Sequence, residues 1–151
     1  MVSGTGAGPA AKRPGVARAS SKAAASRPAT SRAWVPERQE VIWIDCNPQA
    51  GGEMRDLHPM LVLSPGAFNA RTGLVIGLPM TTAAYNATNP FALAVGAASG
   101  RKTGKTSYVL CHQPKSFDWR ARGAKRHAQG KLADAAFAMA CAMLNQIIGL
   151  E

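Results

Sequence analysis

Five short apolar runs, separated by turn-forming residues, constrain the fold of this chain more than any other feature of its sequence. They are rich in β-branched and aromatic residues and too short for helices, so each predicts a β-strand. The third run is apolar on both faces, which favours a central position in a sheet. The five runs are residues 41–45, 59–64, 74–80, 91–95 and 108–111.

The hydrophobic period changes towards the C-terminus. Between Leu132 and Ile148, apolar residues recur at steps of three and four, which is the pattern of one amphipathic helix. Short strands followed by a single packing helix predict a mainly β fold with a C-terminal helix, a small and strongly bent barrel of the SH3-like type. The predicted connections are a turn at 69–73, a polar loop at 85–89 and a flexible basic hairpin loop at 96–106.

Residues 1–33 differ from the rest of the chain in composition. They contain six Lys or Arg and no acidic residue, and they have too few large apolar side chains to form a core. We expect a disordered basic leader that adds at most nonspecific affinity for RNA, followed by one domain over residues 34–151. An organellar transit peptide and a start codon assigned too far upstream are the alternatives for the leader.

The charge of the predicted domain is more moderate than that of the whole chain. The chain has 18 Lys and Arg against eight Asp and Glu, so removing the six leader cations leaves a net charge of +4. A positive field attracts polyanions without selecting among them.

Cysteine spacing and hydropathy argue against several classes of protein. Cys46, Cys111 and Cys141 are single and widely separated, which is typical of reduced, buried thiols and not of a disulfide framework or a zinc site. No apolar run approaches the roughly 18 residues of a membrane span. We therefore expect a cytoplasmic protein with no membrane segment, no metal and no other cofactor.

A basic segment follows the fifth apolar run. It contains an aromatic ring, Trp119, followed closely by Arg120 and Arg122. A ring that stacks on a base, beside guanidinium groups that bind phosphate, predicts a contact with single-stranded RNA. Trp119 is equally compatible with the barrel core. The two arginines share one side if the segment is extended.

Several short motifs, in the same order, resemble those of the MazF/PemK toxin family. The likeness covers residues 36–149 and excludes the leader. The matching segments are residues 41–45, 52–53, 58–65, 69–73, 78–82, 89–91, 113–124 and 144–149.

The resemblance implies the toxin of a type II toxin–antitoxin pair. Members of this family are sequence-selective endoribonucleases that form homodimers with RNA grooves at the dimer interface. Their cleavage of single-stranded RNA needs no metal ion and leaves a 2′,3′-cyclic phosphate and a 5′-hydroxyl. An acidic, disordered tail of the cognate antitoxin blocks the groove.

The resemblance also implies roles for individual residues. Glu53 matches a glutamate that contacts RNA and supports catalysis, and Thr81 matches the active-site threonine. A threonine hydroxyl can donate to a nonbridging phosphate oxygen. Arg55, Thr82 and Lys115 are further candidates for RNA binding.

His58 departs from the family pattern, in which an essential arginine precedes the proline. Arginine is always charged, whereas an imidazole titrates near pH 6.5 and can donate or accept a proton. We expect His58 to be the acid or base, with Arg55 or Arg122 supplying fixed positive charge. The alternative is that His58 only orders the loop and activity is weak or lost. His112 either lines the groove or sits at the edge of the core, and His127 is expected in a loop with no catalytic role.

Two other functions remain open from the sequence. A relative of impaired activity would bind RNA or antitoxin without cleaving RNA. A toxin of the same fold would instead trap DNA gyrase through its C-terminal helix, because a fold does not determine a function.

Overall fold

The computed structural model describes residues 32–97 and 104–150, together with Gly4, Gly6 and Gly8. A compact unit begins at Trp34. The leader expected over residues 1–33 lies almost wholly outside the described residues, as does most of the basic hairpin loop expected at 96–106.

The described residues form seven strands and two α-helices, with a 3₁₀ helix at Ala84–Thr88. The order of elements supports a mainly β fold closed by a C-terminal helix. The elements are β1 (Glu40–Asp45), β2 (Leu57–Val62), α1 (Gly66–Thr72), β3 (Leu74–Thr81), β4 (Ala92–Ala97), β5 (Thr106–Leu110), β6 (Lys115–Asp118), β7 (Lys125–Lys131) and α2 (Asp134–Ile148).

The sheet is antiparallel and bends around β3. Its main strand order is β4-β5-β3-β2-β1-β7, and β6 also pairs with β3. The first half of β3 pairs with β6, with Val75 opposite Phe117, while its end pairs with β5, with Met80 opposite Val109. The third apolar run is therefore central, as predicted.

Two hydrophobic clusters fill the two faces of the curved sheet. Neighbouring residues of β1 belong to different clusters, Val41 to one and Ile42 to the other, because successive side chains of a strand point to opposite faces. Helix α2 covers the Val41 face through Ala140, and Leu132 joins the same cluster. Among the described residues, no helix is both long enough and apolar enough to cross a membrane.

Gly77 allows β2 and β3 to approach closely. A Cβ at this position would lie 2.3 Å from the Leu61 carbonyl oxygen and 2.8 Å from Cε of Met60. In the resulting register Met60 pairs with Pro79. Two residues further along, the same register brings His58 at the start of β2 to Thr81 at the end of β3.

The turn predicted at 69–73 is wrong, because these residues belong mostly to helix α1. The helix is short and is anchored by polar contacts, so no apolar period reveals it. The buried Asn69 side chain donates to the Pro36 carbonyl at 2.7 Å, and its oxygen accepts from the Ser64 hydroxyl. Gly73 ends the helix with φ of 73°, where a side chain would be strained. The polar loop predicted at 85–89 is largely the 3₁₀ helix.

Strands β6 and β7 were not predicted from the sequence. Both are rich in charged and polar residues, and both are strands because β3 and β1 supply their hydrogen-bonding partners. The residues between them form a tight turn, in which the Arg122 N–H donates to the Asp118 carbonyl. The segment is thus not extended, so the condition under which Arg120 and Arg122 would share one side is not met.

Candidate active site

One cleft lies where β2 begins and β3 ends, beside the loop of residues 46–56. It has a volume of about 350 Å³, and its lining includes Glu53, Arg55, His58, Thr81 and Gln113. The three candidate catalytic residues, Glu53, His58 and Thr81, therefore line one cleft, although they lie up to 28 positions apart in the sequence.

The neck of the 46–56 loop is closed by paired hydrogen bonds. The Asn47 amide donates to the Asp56 carboxylate at 3.2 Å, and the Asp56 N–H donates back to the Asn47 side chain at 3.1 Å. The Cys46 N–H donates to the Asp56 carbonyl at 2.9 Å. These contacts hold both ends of the loop together and deliver the chain directly into β2 and His58.

Gln113 fixes the part of this loop that carries Glu53. Its side-chain oxygen accepts from the Met54 N–H at 2.9 Å, and its side-chain nitrogen donates to the Gly52 carbonyl at 3.3 Å. Glu53 lies between the two clamped residues. The sequence showed Gln113 only as part of the family pattern, because nothing local indicates a contact across some sixty residues.

Glu53 is held as an anion by Lys115. Their side chains form an ion pair with an N–O distance of 2.9 Å. The hydrogen bond from Lys115 lowers the pKa of Glu53, and a bond from the Ala50 backbone acts in the same direction. A carboxylate stabilised in this way is a weaker base, so it fits a role as hydrogen-bond acceptor better than one as proton acceptor. The contact uses one of the three N–H donors of Lys115, so its RNA-binding role stays a prediction.

The His58 imidazole is oriented by one hydrogen bond. Its Nδ1 lies 3.2 Å from the Met80 carbonyl oxygen. Because a carbonyl only accepts, Nδ1 must carry the hydrogen, and the neutral ring keeps a free lone pair on Nε2. The side chain is half-buried. His58 therefore has one nitrogen fixed by the backbone and one available for proton transfer.

Thr81 has a comparable division of roles. It is buried, and its hydroxyl oxygen accepts from the Ala83 N–H at 3.2 Å. The hydroxyl hydrogen is left to donate to a ligand in the cleft. The adjacent Thr82 is exposed and lines the neighbouring cavity.

Of the two arginines expected to supply fixed charge, Arg55 lies in the cleft. Its side chain is 71% exposed, and it contacts the Asp56 carboxylate at 4.0 Å, a long and solvent-screened distance. Arg122 is half-buried and stacks on Phe117, with its Cζ 4.1 Å from the ring centroid. Its guanidinium donates to the carbonyls of Asp45 and Asn47, so Arg122 supports the end of β1 and the loop that follows.

The ring of Trp119 belongs to the core. It is 7% exposed, packs edge to face on Trp34 and donates from Nε1 to the Asn69 carbonyl at 2.9 Å. A ring enclosed in this way cannot stack on a base, so the prediction for Trp119 is corrected to the core alternative.

Arg120 is exposed and lies over the Trp119 ring at 4.3 Å. The turn that carries it adjoins the Leu74 end of β3. At about 3.3 Å per residue, that end is roughly 20 Å along the strand from Thr81. RNA binding by Arg120 stays a prediction for a strand that extends well beyond the cleft.

His127 lies in β7 and not in a loop, so that prediction is wrong. It is buried, its ring centroid is 4.8 Å from that of Trp43, and burial lowers its pKa. With His58 and Thr81 it lines a second cavity of about 290 Å³.

His112 is exposed and packs beside Phe91, with ring centroids 5.7 Å apart. Within the described residues, no group of three or more His, Cys, Asp or Glu is arranged to hold a metal ion.

Comparison with known proteins decides the family. The family model described as PemK-like, MazF-like toxin of type II toxin–antitoxin system matches residues 37–148. The chain belongs to the PemK/MazF toxin family. The endoribonuclease toxin MazF of Escherichia coli K12 is 34% identical over 116 residues, which are 77% of this chain and 96% of that protein.

Solved MazF structures share the fold of this PemK/MazF chain. Crystalline MazF from Deinococcus radiodurans is 32% identical, with a TM-score of 0.68 over 78% of this chain and 99% of its own. A MazE–MazF complex from the same organism is 27% identical, with a TM-score of 0.63 over 78% and 99% of the two chains. The prediction of a small β fold with a C-terminal helix, similar to MazF, is confirmed.

Proposed function

We propose that this chain is the toxin of a type II toxin–antitoxin pair and cleaves single-stranded RNA as a sequence-selective endoribonuclease. The observation that carries the proposal is the cleft shared by Glu53, His58 and Thr81. Family membership and two relatives named endoribonuclease, MazF and PemK of Escherichia coli, support the same activity.

The proposed reaction uses the 2′-hydroxyl of the RNA as nucleophile. His58 Nε2 takes its proton, the ribose oxygen bonds to phosphorus, and the bond to the 5′-oxygen breaks. The leaving oxygen takes up a proton from water, and His58 releases the proton it took to solvent, so the products are a 2′,3′-cyclic phosphate and a 5′-hydroxyl. No step of this scheme requires a metal ion, because the base and the charge stabilisation come from side chains.

The other cleft residues stabilise the reacting phosphate in this scheme. The Thr81 hydroxyl donates to a nonbridging oxygen, and Arg55 supplies the positive charge that the family arginine would otherwise provide. Glu53, kept anionic by Lys115, accepts hydrogen bonds from the RNA. Thr82, beside the cleft, and Arg120, further along the sheet, bind other parts of the RNA strand. Arg122 acts indirectly by holding the 46–56 loop.

The proposed partners are an acidic antitoxin and a second copy of this chain. The solved MazE–MazF complex of a 27% identical relative supports an antitoxin. An acidic segment lying near Arg55 would compete with RNA for the cleft. We place the protein in the cytoplasm, where its RNA substrates are.

A defined long RNA, incubated with the purified protein with and without EDTA, tests this function. We expect cleavage in both, with cyclic phosphate and 5′-hydroxyl ends at a limited set of sequences. Binding without cleavage would show that the chain is an impaired relative, in which His58 does not perform the role of the family arginine. DNA breaks that depend on gyrase, without RNA cleavage, would show the other toxin activity.

A further inference from the structure

A second cavity lies directly beside the cleft, and the proposed reaction gives no role to most of its lining. Its volume is about 290 Å³. His58 and Thr81 line both spaces, so the cavity adjoins the place where the phosphate would react. The side chains that belong to this cavity and not to the cleft include Trp43, Thr82, Ser107, His127 and Gln129.

The cavity has an aromatic wall made by adjacent strands. Trp43 of β1 is half-buried, although its neighbours Ile42 and Ile44 are fully buried. Its ring lies at 42° to that of His127 on β7. Part of the Trp43 indole is therefore open to solvent, although the neighbouring side chains of the strand are buried. A flat ligand can stack on this exposed part.

His127 presents a fixed hydrogen-bond donor. Its Nδ1 accepts from the Gln129 N–H at 3.0 Å, so in the neutral ring the hydrogen is on Nε2. Protonation of Nδ1 would set two donors against each other, and burial lowers the His127 pKa as well. Both effects favour the neutral ring, which is suited to recognition rather than to proton transfer.

We infer that this cavity is a nucleobase subsite for the nucleotide next to the cleaved phosphate. The inference rests on the proposed function, since an RNA strand in the cleft would deliver its neighbouring base here. RNA-binding proteins hold an unstacked base by stacking on aromatic rings and by hydrogen bonds to its edge. Trp43 supplies the stacking face, and Nε2–H of His127 meets an acceptor on the base edge.

The lining gives the subsite its selectivity. The hydroxyls of Thr82 and Ser107 and the amide of Gln129 can each donate or accept. The Nε2–H of His127 can only donate. The subsite therefore favours a base whose edge places a carbonyl oxygen or ring nitrogen opposite His127, and it should determine the preference at one position beside the cut.

Trp43→Leu tests the subsite by its effect on KM and on cut sites. We expect KM for RNA to rise about 10- to 100-fold, the range for loss of one stacked base. The preference at a single flanking position should disappear, while Trp43→Phe retains both. Phe91→Leu is the matched control, because Phe91 is an exposed aromatic residue that lies outside both cavities. Thermal melting of each variant identifies any that are unfolded.

A second measurement does not depend on cleavage. An RNA oligonucleotide with a 2′-deoxy nucleotide at the cut position cannot react, and its binding to the wild-type protein should shift the NMR signals of the His127 and Trp43 rings. Unchanged ring signals with a bound strand would overturn the subsite, as would a Trp43→Leu variant with wild-type KM and cut sites. If the wild type binds RNA but cleaves none, the nuclease proposal fails, and these ring signals alone decide the subsite.

Discussion

At the scale of single residues, the candidate site divides the atoms of each side chain between structure and substrate. Nδ1 of His58 is bound by the Met80 carbonyl, and the Thr81 oxygen accepts from Ala83. The remaining nitrogen and the hydroxyl hydrogen are left for the proposed RNA substrate. Orientation in advance lowers the cost of reaching the reactive geometry.

His58→Ala should lower kcat/KM for a long RNA by about 10²- to 10⁴-fold, the usual contribution of a general acid or base. The imidazole-dependent limb of the pH–rate profile should disappear as well. His58→Arg restores the charge of the family residue and tests whether a fixed positive charge on the phosphate is sufficient for cleavage. His112→Ala is the matched control, since its ring is exposed and outside both cavities. An unimpaired alanine variant at position 58 would eliminate the proposed role.

The Glu53–Lys115 pair predicts a pH dependence with a definite sign. Because the folded protein lowers the pKa of Glu53, the pair stabilises the fold at pH values above the ordinary pKa of glutamate. That stabilisation is lost as the pH falls through the lowered pKa. NMR titration of the Glu53 carboxyl should give a pKa below 4.5 in the wild type, rising in Lys115→Met. Equal values in both proteins would contradict the ion pair.

At the scale of elements, the 46–56 loop is held by contacts from other parts of the sheet. Gln113, at the end of the β5–β6 connection, clamps Gly52 and Met54, while Arg122 supports the carbonyls of Asp45 and Asn47. Glu53 is placed by these contacts and not by the loop's own sequence.

Gln113→Ala should release the Glu53 segment without unfolding the domain. We expect kcat/KM to fall about 10-fold, since a misplaced positioning contact weakens the transition state more than the fold. Faster hydrogen exchange at the Met54 amide should accompany the loss. Gln146→Ala on α2, exposed and distant in sequence, is the control. Unchanged exchange at Met54 would show that Gln113 does not hold the loop.

At the scale of the whole molecule, the leader and the domain contribute differently to charge. The leader has six cations and no acid, whereas every residue placed in the cleft belongs to the unit that begins at Trp34. Sequence selection should therefore reside in the domain, and the leader should add only salt-dependent attraction.

Deletion of residues 1–33 should leave the melting temperature and the cut sites unchanged. It should reduce the slope of log affinity against log salt by at most about 4, since each phosphate contact on a single strand contributes roughly 0.7. Titration of a labelled RNA at several salt concentrations measures that slope. A shifted set of cut sites would instead place part of the recognition surface in the leader.

The sequence by itself determined the five strands that have apolar runs, the C-terminal helix and the family. A run of β-branched residues is a local property of the sequence, and the order of the motifs can also be read from the sequence alone. The candidates Glu53, His58 and Thr81 came from that order; they lie in one cleft, and their roles stay predictions. The polar strands β6 and β7 could not be predicted, because pairing with β3 and β1 makes them strands.

Only the tertiary structure decided which side chains are free to act. Trp119 and Arg122 look like an RNA-binding pair in sequence, yet contacts with Asn69 and with the end of β1 occupy both. His127 looked incidental, yet pairing of β7 with β1 places it beside Trp43. The physical reason is the same in each case. A hydrogen bond or a ring contact depends on neighbours in space, and here those neighbours are fifty or more residues away in the chain.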